Sequence, residues 1–394
     1  MTAASWWRRM LAVYRKELVD ALRDRRTLAT VLLSSVLMGP LVLVALSGLL
    51  ATFEAQSERR EVVVAGMDHA PTLRNYIERQ AYAVVPAPAD FESQLRTSRL
   101  RDAVLVIPPE FEAMLARGEA PLLEVVVDSA NRHAEAGAGR VQRLVAGFAR
   151  ERTSLLLALR GVSGALLEPV TLAERNLAGP QSRAARYTGM LPFFVILAVL
   201  YGALNAALDT TAGERERGSL EPLMATPAPP VAIALGKWGA VATVAALIAL
   251  LSSASFVPAQ ELLRSETLQA MFQYGGRELL VFALLLLPLA AAVSAALMAV
   301  AIRSRTVKEA QASAAVVLLA VSLLPIVALF GSGAEEPWHL WVPGLAQNQL
   351  MTRALKGEPL DMLHWTVPTA VCLLLTALFL HDVAGRLRSA AVKA

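Results

Sequence analysis

Six apolar runs occur in the chain, and the two that flank a dense block of charged residues constrain its fold most. These two are Tyr187–Leu208 and Val231–Val257. Each has about 20 residues or more, the length that an α-helix needs to cross the hydrocarbon core of a bilayer. Lipid cannot hydrogen-bond to backbone N–H and C=O groups, so a spanning run must satisfy them within a helix. The charged block is therefore a short connection on one side of a membrane.

Four further apolar runs extend this pattern. They are Thr27–Leu50, Leu279–Ile302, Ala310–Phe330 and Thr366–Leu380. The chain is 55% hydrophobic and 18% charged, whereas soluble domains average about 25% charged residues. The sequence therefore predicts an α-helical integral membrane protein with six transmembrane helices, the first at residues 27–50 and the other five within residues 187–394. The lone cysteine, Cys372, excludes an intramolecular disulfide.

Residues 51–186 have a different pattern, in which short β-rich runs alternate with helix-like runs. Such alternation is typical of an α/β domain, and about 130 residues are enough to form a hydrophobic core. We expect an inserted α/β domain with strands at Val62–Val64, Ala83–Val85, Val104–Ile107 and Leu122–Val127, and helices at Leu73–Arg79, Phe91–Arg99, Glu110–Ala116 and within Asn131–Leu167.

The distribution of lysine and arginine predicts the orientation, because cytoplasmic loops carry an excess of both. The two short loops Pro258–Glu278 and Gly331–Trp365 contain few of them: Arg264, Arg277, Arg353 and Lys356. The segments that share a side with the N-terminus contain Arg8, Arg9, Arg15, Lys16, Arg23, Arg25, Arg26, Arg215, Arg217, Arg303, Arg305, Lys308, Arg386, Arg388 and Lys393. We therefore expect both termini and the charged block to be cytoplasmic, and the domain 51–186 to be extracytoplasmic.

The first 26 residues predict a cytoplasmic amphipathic helix in the plane of the membrane interface. Apolar residues recur at helical spacing, while cations occupy the other side. Such a helix contacts lipid, with its tryptophans at headgroup level. A basic flank that only fixes orientation would carry the same charges, and the two interpretations are compatible. The residues that indicate the interfacial helix are Trp6, Trp7, Leu11, Tyr14, Leu18 and Leu22.

The charged block, Gly213–Pro227, predicts two short helices that form a rigid turn. Thr211 and Glu214 have the spacing of a capping box, Gly218 suits a helix end, and Ser219 can cap the second helix. That second helix has Pro222 in its first turn, where a missing N–H costs little. Its remaining first-turn and apolar residues are Glu221, Leu220, Leu223 and Met224. The name 209–230 segment is used below for residues 209–230, which contain this block and the short stretches on either side of it.

This block resembles the signature of ABC-2 family permeases, in which Glu-Arg-x-x-Gly-Ser/Thr-Leu-Glu-x-Leu-x-x-Thr-Pro follows the second membrane helix. The match is by residue type rather than in strict register, and Gly236-Lys237 follows it. The likeness is to the sodium-efflux-like branch, which carries a large extracytoplasmic insert. The matching residues are Glu216, Arg217, Gly218, Ser219, Leu220, Glu221, Leu223, Thr226 and Pro227.

The resemblance implies an ATP-binding cassette ATPase subunit as partner, which would hold ATP and Mg²⁺, while this chain itself binds no cofactor. It also implies a second permease subunit, with a homodimer expected, and a connecting helix at the N-terminus. Glutamates of the block would pair with basic groups of the ATPase or of the N-terminal helix. The residues expected to couple to the ATPase are Glu214, Glu216, Arg217, Gly218, Ser219, Leu220, Glu221 and Leu223.

Several chemistries have no support in the sequence. No span carries an ionisable residue near its middle, since Asp209, Lys237, Glu309 and Asp382 lie at span ends, and this disfavours an ion-coupled carrier. No phosphate-binding Gly-x-x-x-x-Gly-Lys-Ser/Thr loop and no Gly-x-Ser-x-Gly elbow occur. The five histidines lack metal-ligand spacing. We expect no enzyme activity of the chain alone, no metal site and no nucleic-acid partner.

Two loops have more than one interpretation. Arg303–Gln311 is either a second contact with an ATPase or a charged turn that fixes orientation. Gly331–Trp365 is rich in tryptophan and proline, which fits an interfacial aromatic belt, and the resemblance places a re-entrant hairpin there with Trp338–Leu350 partly in the membrane.

Three functions follow as hypotheses. The first is the permease subunit of an ABC-2 exporter in the cytoplasmic (inner) membrane. The second is an ATP-driven mechanotransmitter that moves the domain 51–186 against an envelope partner without transport. The third is a secondary carrier, which would need flux driven by an ion gradient. The substrate, whether cation, lipid, drug or peptide, is left open.

Overall fold

The computed structural model describes residues 3–23, 25–58, 60–163, 175, 177–330 and 336–393. It divides into two compact units. We call Met1–Thr52 together with Leu177–Ala394 the helical unit, and Phe53–Asn176 the sheet unit.

The chain begins with two helices and then forms the sheet unit. The two helices are α1 (Ala3–Arg23) and α2 (Arg25–Glu58). The elements of the sheet unit are β1 (Glu61–Ala65), α3 (Pro71–Arg79), β2 (Ala83–Pro86), α4 (Phe91–Arg96), β3 (Val104–Val106), α5 (Phe111–Ala116), β4 (Glu124–Val126) and α6 (Arg132–Leu159), with a 3₁₀ turn at Met67–His69.

The rest of the chain is helical. Its elements are α7 (Pro180–Thr188), α8 (Leu191–Leu208), a π-helical stretch at Asp209–Gly213, α9 (Glu214–Glu216), α10 (Leu220–Met224), α11 (Pro230–Ala254), α12 (Phe256–Ala259), α13 (Glu266–Met271), α14 (Gly276–Ala301), α15 (Val307–Phe330), α16 (Leu345–Leu355) and α17 (Met362–Lys393), with 3₁₀ turns at Gln260–Leu262 and Pro337–Trp341.

Among the described residues, five helices are long and apolar enough to cross a membrane. They are Leu191–Glu216, Pro230–Leu262, Gly276–Ala301, Val307–Leu324 and Met362–Ser389. The predicted class, an α-helical membrane protein, is confirmed in this form. The predicted first span at 27–50 lies in α2, where the described apolar stretch is the shorter Val36–Thr52, so a sixth span stays a prediction.

The start of the second predicted span is wrong by several residues. Tyr187 belongs to the separate helix α7, which ends at Thr188. The next helix, α8, begins at Leu191 with Pro192 in its first turn, a position where the missing proline N–H would have no partner within the helix.

Three helices form the centre of the helical unit. Half or more of the apolar window is buried in the spans that contain α8, α11 and α14, at 67%, 50% and 56%. The windows of α15 and α17 are only 11% and 22% buried. These two helices therefore lie at the periphery of a single chain.

The sheet unit contains a four-stranded sheet in the order β2-β1-β3-β4. β1 pairs in parallel with β2 and β3, while β3 and β4 are antiparallel. Both faces of the central β1 are buried, which explains its continuous valine run. Val62 and Val64 pack on α3 and α6 on one face, and Val63 packs with Leu95 of α4 on the other.

Each predicted strand has a counterpart in this sheet, but two helix predictions need correction. The helix expected at Phe91–Arg99 ends at Arg96, because Ser98 turns the chain with a φ of 54°. The helix expected within Asn131–Leu167 is α6, with the Asn131 side chain accepting a hydrogen bond from the backbone N–H of Ala134 at its start. The predicted residues 164–167 lie outside the described residues.

Candidate functional site

The 209–230 segment begins as a continuation of α8 rather than as a new helix. Asp209–Gly213 is π-helical and leads directly into α9. The predicted capping box at Thr211 and Glu214 is therefore wrong. The Thr211 hydroxyl donates instead to the carbonyl of Ala207 at 2.5 Å, a backward bond that a helical threonine can make. π-helical turns are often found at functional sites.

A tight turn at Gly218 separates α9 from α10. Gly218 has a φ of 69°, the left-handed conformation that favours glycine at a helix end. Ser219 precedes α10, but its hydroxyl does not cap that helix as expected. It donates backward to the carbonyl of Glu214 at 3.2 Å, and the Ser219 N–H donates to the same oxygen at 2.9 Å. The turn is therefore tied to the end of the preceding span.

The short helix α10 is anchored by its apolar face, as the sequence predicts. Leu220 is 5% exposed. Leu223 and Met224 are half-buried and pack against the core of the helical unit. The opposite face of the turn is exposed and consists of Arg217, Gly218, Ser219, Glu221 and Pro222.

Hydrogen bonds tie α9 to the loop between α14 and α15. Arg215 donates through Nη1 to the carbonyl of Ser304 at 3.0 Å. Glu216 accepts the backbone N–H of Val307, the first residue of α15, at 2.7 Å through Oε2. Arg217 binds Asp209 at 2.9 Å. The loop Arg303–Gln311 therefore supports the 209–230 segment.

Glu214 belongs to a buried ionic cluster centred on Lys237 of α11. Lys237 is 1% exposed. Its Nζ lies 2.7 Å from Oε1 of Glu17, 2.5 Å from Oε2 of Glu214, and 2.9 Å from the carbonyl oxygen of Thr210. One ammonium group thus joins α1, the π-helical stretch and α9.

Lys16 bonds to the same two carboxylates, those of Glu17 and Glu214, from the solvent side. Its Nζ is 3.1 Å from Oε1 of Glu17 and also bonds to Glu214. Its side chain is 45% exposed, whereas those of Glu17 and Glu214 are 3% and 4% exposed. Lys16, Glu17, Glu214 and Lys237 therefore form a set with no net charge, in which each buried charge has an opposite partner.

Burial and charge determine the protonation of the α1 members of the cluster. Burial raises the pKa of Glu17, and the neighbouring Glu214 adds to this, while Lys237 and Lys16 oppose it. Burial lowers the pKa of Lys16, but its hydrogen bond to Glu214 and the charges of both carboxylates outweigh this and raise it above its ordinary value. Lys16 is therefore charged at neutral pH.

Two glycines allow α1 to approach α11 this closely. A Cβ on Gly236 would lie 2.8 Å from Cβ of Val13, and one on Gly239 would lie 3.1 Å from Cδ2 of Tyr14. The Tyr14 hydroxyl is 3.2 Å from Oγ1 of Thr243. The small residues on α11 thus form the surface on which α1 packs.

The predicted apolar face of α1 only partly contacts the protein. Trp7 and Leu11 are 60% and 46% exposed, Trp6 is half-buried, and Tyr14 packs on α11. The buried face instead follows Val13 and Glu17. The exposed Trp7 and Leu11 leave an apolar surface available to lipid.

Sequence reasoning missed Glu17 and Lys237. Lys237 lies near the N-terminal end of the span Pro230–Leu262, as expected, and the structure shows that it is buried. A lysine within an apolar run is a signal available in the sequence, because a buried lysine requires a paired charge. It does not identify Glu17, which is 220 residues away.

Comparison with known proteins identifies the family. A family model described as "ABC-2 family transporter protein" matches residues 11–382. The chain belongs to the ABC-2 transporter family. The "ABC transporter permease protein NatB" of Bacillus subtilis (strain 168) is 26% identical to it over 389 residues, which cover 94% of this chain and 97% of the relative. The resemblance seen in the charged block is thereby confirmed.

Family membership defines the chain as a multi-pass membrane permease subunit of an ABC transporter. It implies association with an ATP-binding subunit and with the membrane. Among the described residues, no group of three or more histidine, cysteine, aspartate or glutamate side chains could hold a metal ion.

Proposed function

We propose that this permease exports a substrate across the cytoplasmic (inner) membrane with energy from ATP hydrolysed on a separate subunit. That subunit would hold ATP and Mg²⁺, and the permease would pair with a second copy of itself. In this proposal α2 supplies a sixth span, both termini and the 209–230 segment are cytoplasmic, and the sheet unit is extracytoplasmic. The interfacial α1 lies on the same side as the ATPase.

The observation that supports this proposal is the construction of the 209–230 segment. Its exposed face, Arg217–Ser219 with Glu221 and Pro222, is available to a partner. Its other side is fixed by the buried Leu220 and by the bonds of Arg215 and Glu216 to the α14–α15 loop. A force on the exposed face would therefore move the attached spans instead of deforming a loose loop.

The mechanism is a two-state motion biased by a ligand on a neighbouring chain. When nucleotide closes the ATPase pair, the ATPase pushes on Ser219–Met224. Because α8 and α11 adjoin the two ends of the 209–230 segment, both spans move with it. Glu216 and Glu221 remain accessible to basic groups of the ATPase, whereas Glu214 is occupied by Lys16 and Lys237.

The variant Glu221→Arg tests this mechanism. Glu221 is exposed, so the substitution preserves the fold while reversing a charge at the contact. We expect the complex in proteoliposomes to lose ATP-dependent flux of Na⁺ or of a fluorescent phospholipid, while ATP hydrolysis continues. Leu220→Asp would uncouple as well, but it also places a carboxylate in the core.

The matched control is Glu266→Arg, which makes the same change at an exposed first-turn glutamate of α13. It should transport normally. Intact flux in Glu221→Arg would refute the coupling role of this face, and flux that needs an ion gradient but no ATP would refute the exporter.

A second function is favoured by one feature of the sheet unit. An open cavity of about 480 Å³ lies at the carboxyl ends of β1 and β2 and is lined by Gly66, Asp68, Arg74 and Phe91, among others. The chain could act as a mechanotransmitter that moves this surface against an envelope partner. ATP hydrolysis that depends on a soluble envelope protein, with no flux, would support this function over export.

A further inference from the structure

We propose that Lys237 is a positioning residue that makes α1, the 209–230 segment and α11 move as one rigid body. The inference rests on the proposed function, because it assigns the part of the protein that the ATPase displaces. It adds α1 to the moving part and gives Lys237 a role that its place in a membrane span does not suggest.

Lys237 connects three parts of the helical unit through one ammonium group. Its Nζ makes three short contacts, each to a different place: Glu17 in α1, Thr210 in the π-helical stretch and Glu214 in α9. Without the ammonium group the two carboxylates would be buried side by side. Lys16 reaches both of them as well, but from a half-exposed position where water and salt weaken its attraction.

The cost of breaking this cluster explains why the parts would move together. Separating α1 from α9 and α11 would break two ion pairs at once, Glu17–Lys237 and Lys16–Glu214, and a buried charge that loses a partner is strongly unfavourable. The cluster can instead be carried intact through a rotation of the whole body. Motion is therefore easiest at the boundaries of the body and hardest within it.

A second contact joins the same two parts. Arg9 of α1 donates through Nη1 to the carbonyl of Pro227, near the end of the 209–230 segment. The ionic cluster and the Arg9 bond lie about two helical turns apart along α1. Two separated contacts prevent α1 from pivoting about either one.

Distances between spin labels in the complex with its ATPase subunit test the proposal. The labels are placed at Val19→Cys on α1, Ala225→Cys after α10 and Arg388→Cys on α17, all three exposed positions. The buried Cys372 is replaced by alanine, reactive cysteines of the ATPase are removed, and labelled permease is diluted with unlabelled permease. The label pairs are measured without nucleotide and after trapping with ATP and vanadate.

We expect the distance between labels 225 and 388 to shift on trapping, and that between 19 and 388 to shift with it. The distance between 19 and 225 should stay constant. If the 225–388 distance does not shift, the proposed coupling function fails. If it shifts while the 19–225 distance changes too, coupling stands and the rigid-body role of α1 fails.

The variant that isolates Lys237 removes the three buried charges of the cluster together: Glu17→Gln, Glu214→Gln and Lys237→Met. This neutral triple variant keeps the side-chain shapes and leaves no unpaired buried charge, so it should assemble and hydrolyse ATP. In this variant we expect the 19–225 distance to change on trapping. A 19–225 distance that stays constant in the triple variant would overturn the proposal.

The matched control is Asp20→Asn. It removes an exposed partner of Lys16, at 3.5 Å, and leaves the buried cluster in place. The 19–225 distance should then behave as in the unmodified protein. A change in Asp20→Asn as large as in the triple variant would show that general loss of charge on α1, rather than the Lys237 cluster, controls the distance, and would likewise overturn the proposal.

Discussion

The buried ion cluster of the helical unit and one ion pair of the sheet unit lie in opposite environments. In the helical unit, the side chains of Glu17, Glu214 and Lys237 are 2–4% exposed. In the sheet unit, Arg79 and Glu151 approach to 2.5 Å but are 56% and 37% exposed. The bonds have similar lengths, yet the solvent around them differs.

The difference in solvent changes what each ion pair contributes. Exposed pairs contribute little because water screens them and ordering two long side chains costs entropy. Buried pairs are costly to break because the remaining charge has no water. We therefore infer that the stability of the helical unit depends on the matched charges of its buried cluster, while the stability of the sheet unit depends on the packing of its apolar core.

The largest effect is expected for Lys237→Met. It leaves two buried carboxylates with only the half-exposed Lys16, and should destabilise the helical unit by about 3–5 kcal/mol. Thermal unfolding of the purified permease in detergent measures this. The triple variant with Glu17→Gln and Glu214→Gln should recover most of the loss. A triple variant as unstable as Lys237→Met would show that packing, not charge, is responsible.

A smaller effect, confined to the sheet unit, is expected for Leu73→Ala. Leu73 of α3 is fully buried against β1 and α6, so its truncation should cost about 3 kcal/mol. Hydrogen exchange followed by mass spectrometry resolves the two units, and exchange should accelerate in residues 60–159 only. The control Leu122→Ala, at a residue 74% exposed, should change little. Equal acceleration in the helical unit would contradict the comparison.

The smallest effect is expected for Glu151→Gln, which breaks the exposed ion pair with Arg79. The free energy of unfolding should change by about 1 kcal/mol or less, and the change should shrink further at high salt. The same hydrogen-exchange measurement checks it. A loss comparable to that of Lys237→Met would remove the distinction between the units.

Local patterns in the sequence predicted much of this structure. Short β-rich runs predicted the strands, apolar runs predicted the positions of five spans, and Gly218 predicted the turn. These features could be predicted because each is determined by residues that are neighbours in the sequence. The buried face of α10 was predictable for the same reason, since Leu220, Leu223 and Met224 share one side of a short helix.

The ionic cluster was predicted only in part. The expected pairing of a block glutamate with the N-terminal helix is seen between Glu214 and Lys16, but the contacts of Lys237 join distant parts of the chain and have no local signal. Helical periodicity indicates which side of α1 is apolar, but it does not indicate which helix α1 meets or which residue pairs with Glu17. Thr211 and Glu214 have the spacing of a capping box, yet the chain continues as a helix through them, and the Thr211 hydroxyl donates to the carbonyl of Ala207 within that helix. The coupling role of the exposed residues stays a prediction.

The π-helical stretch gives the end of α8 an unusual tolerance. A turn with i→i+5 bonds accommodates one residue more than an α-helical turn. Deleting one residue within Asp209–Gly213 would convert that turn to a regular one and leave Leu208 and Glu214 in phase. The same deletion inside α8 would rotate every later side chain by about 100°. We therefore expect this junction to lose one residue without re-aiming the side chains of α9 and α10.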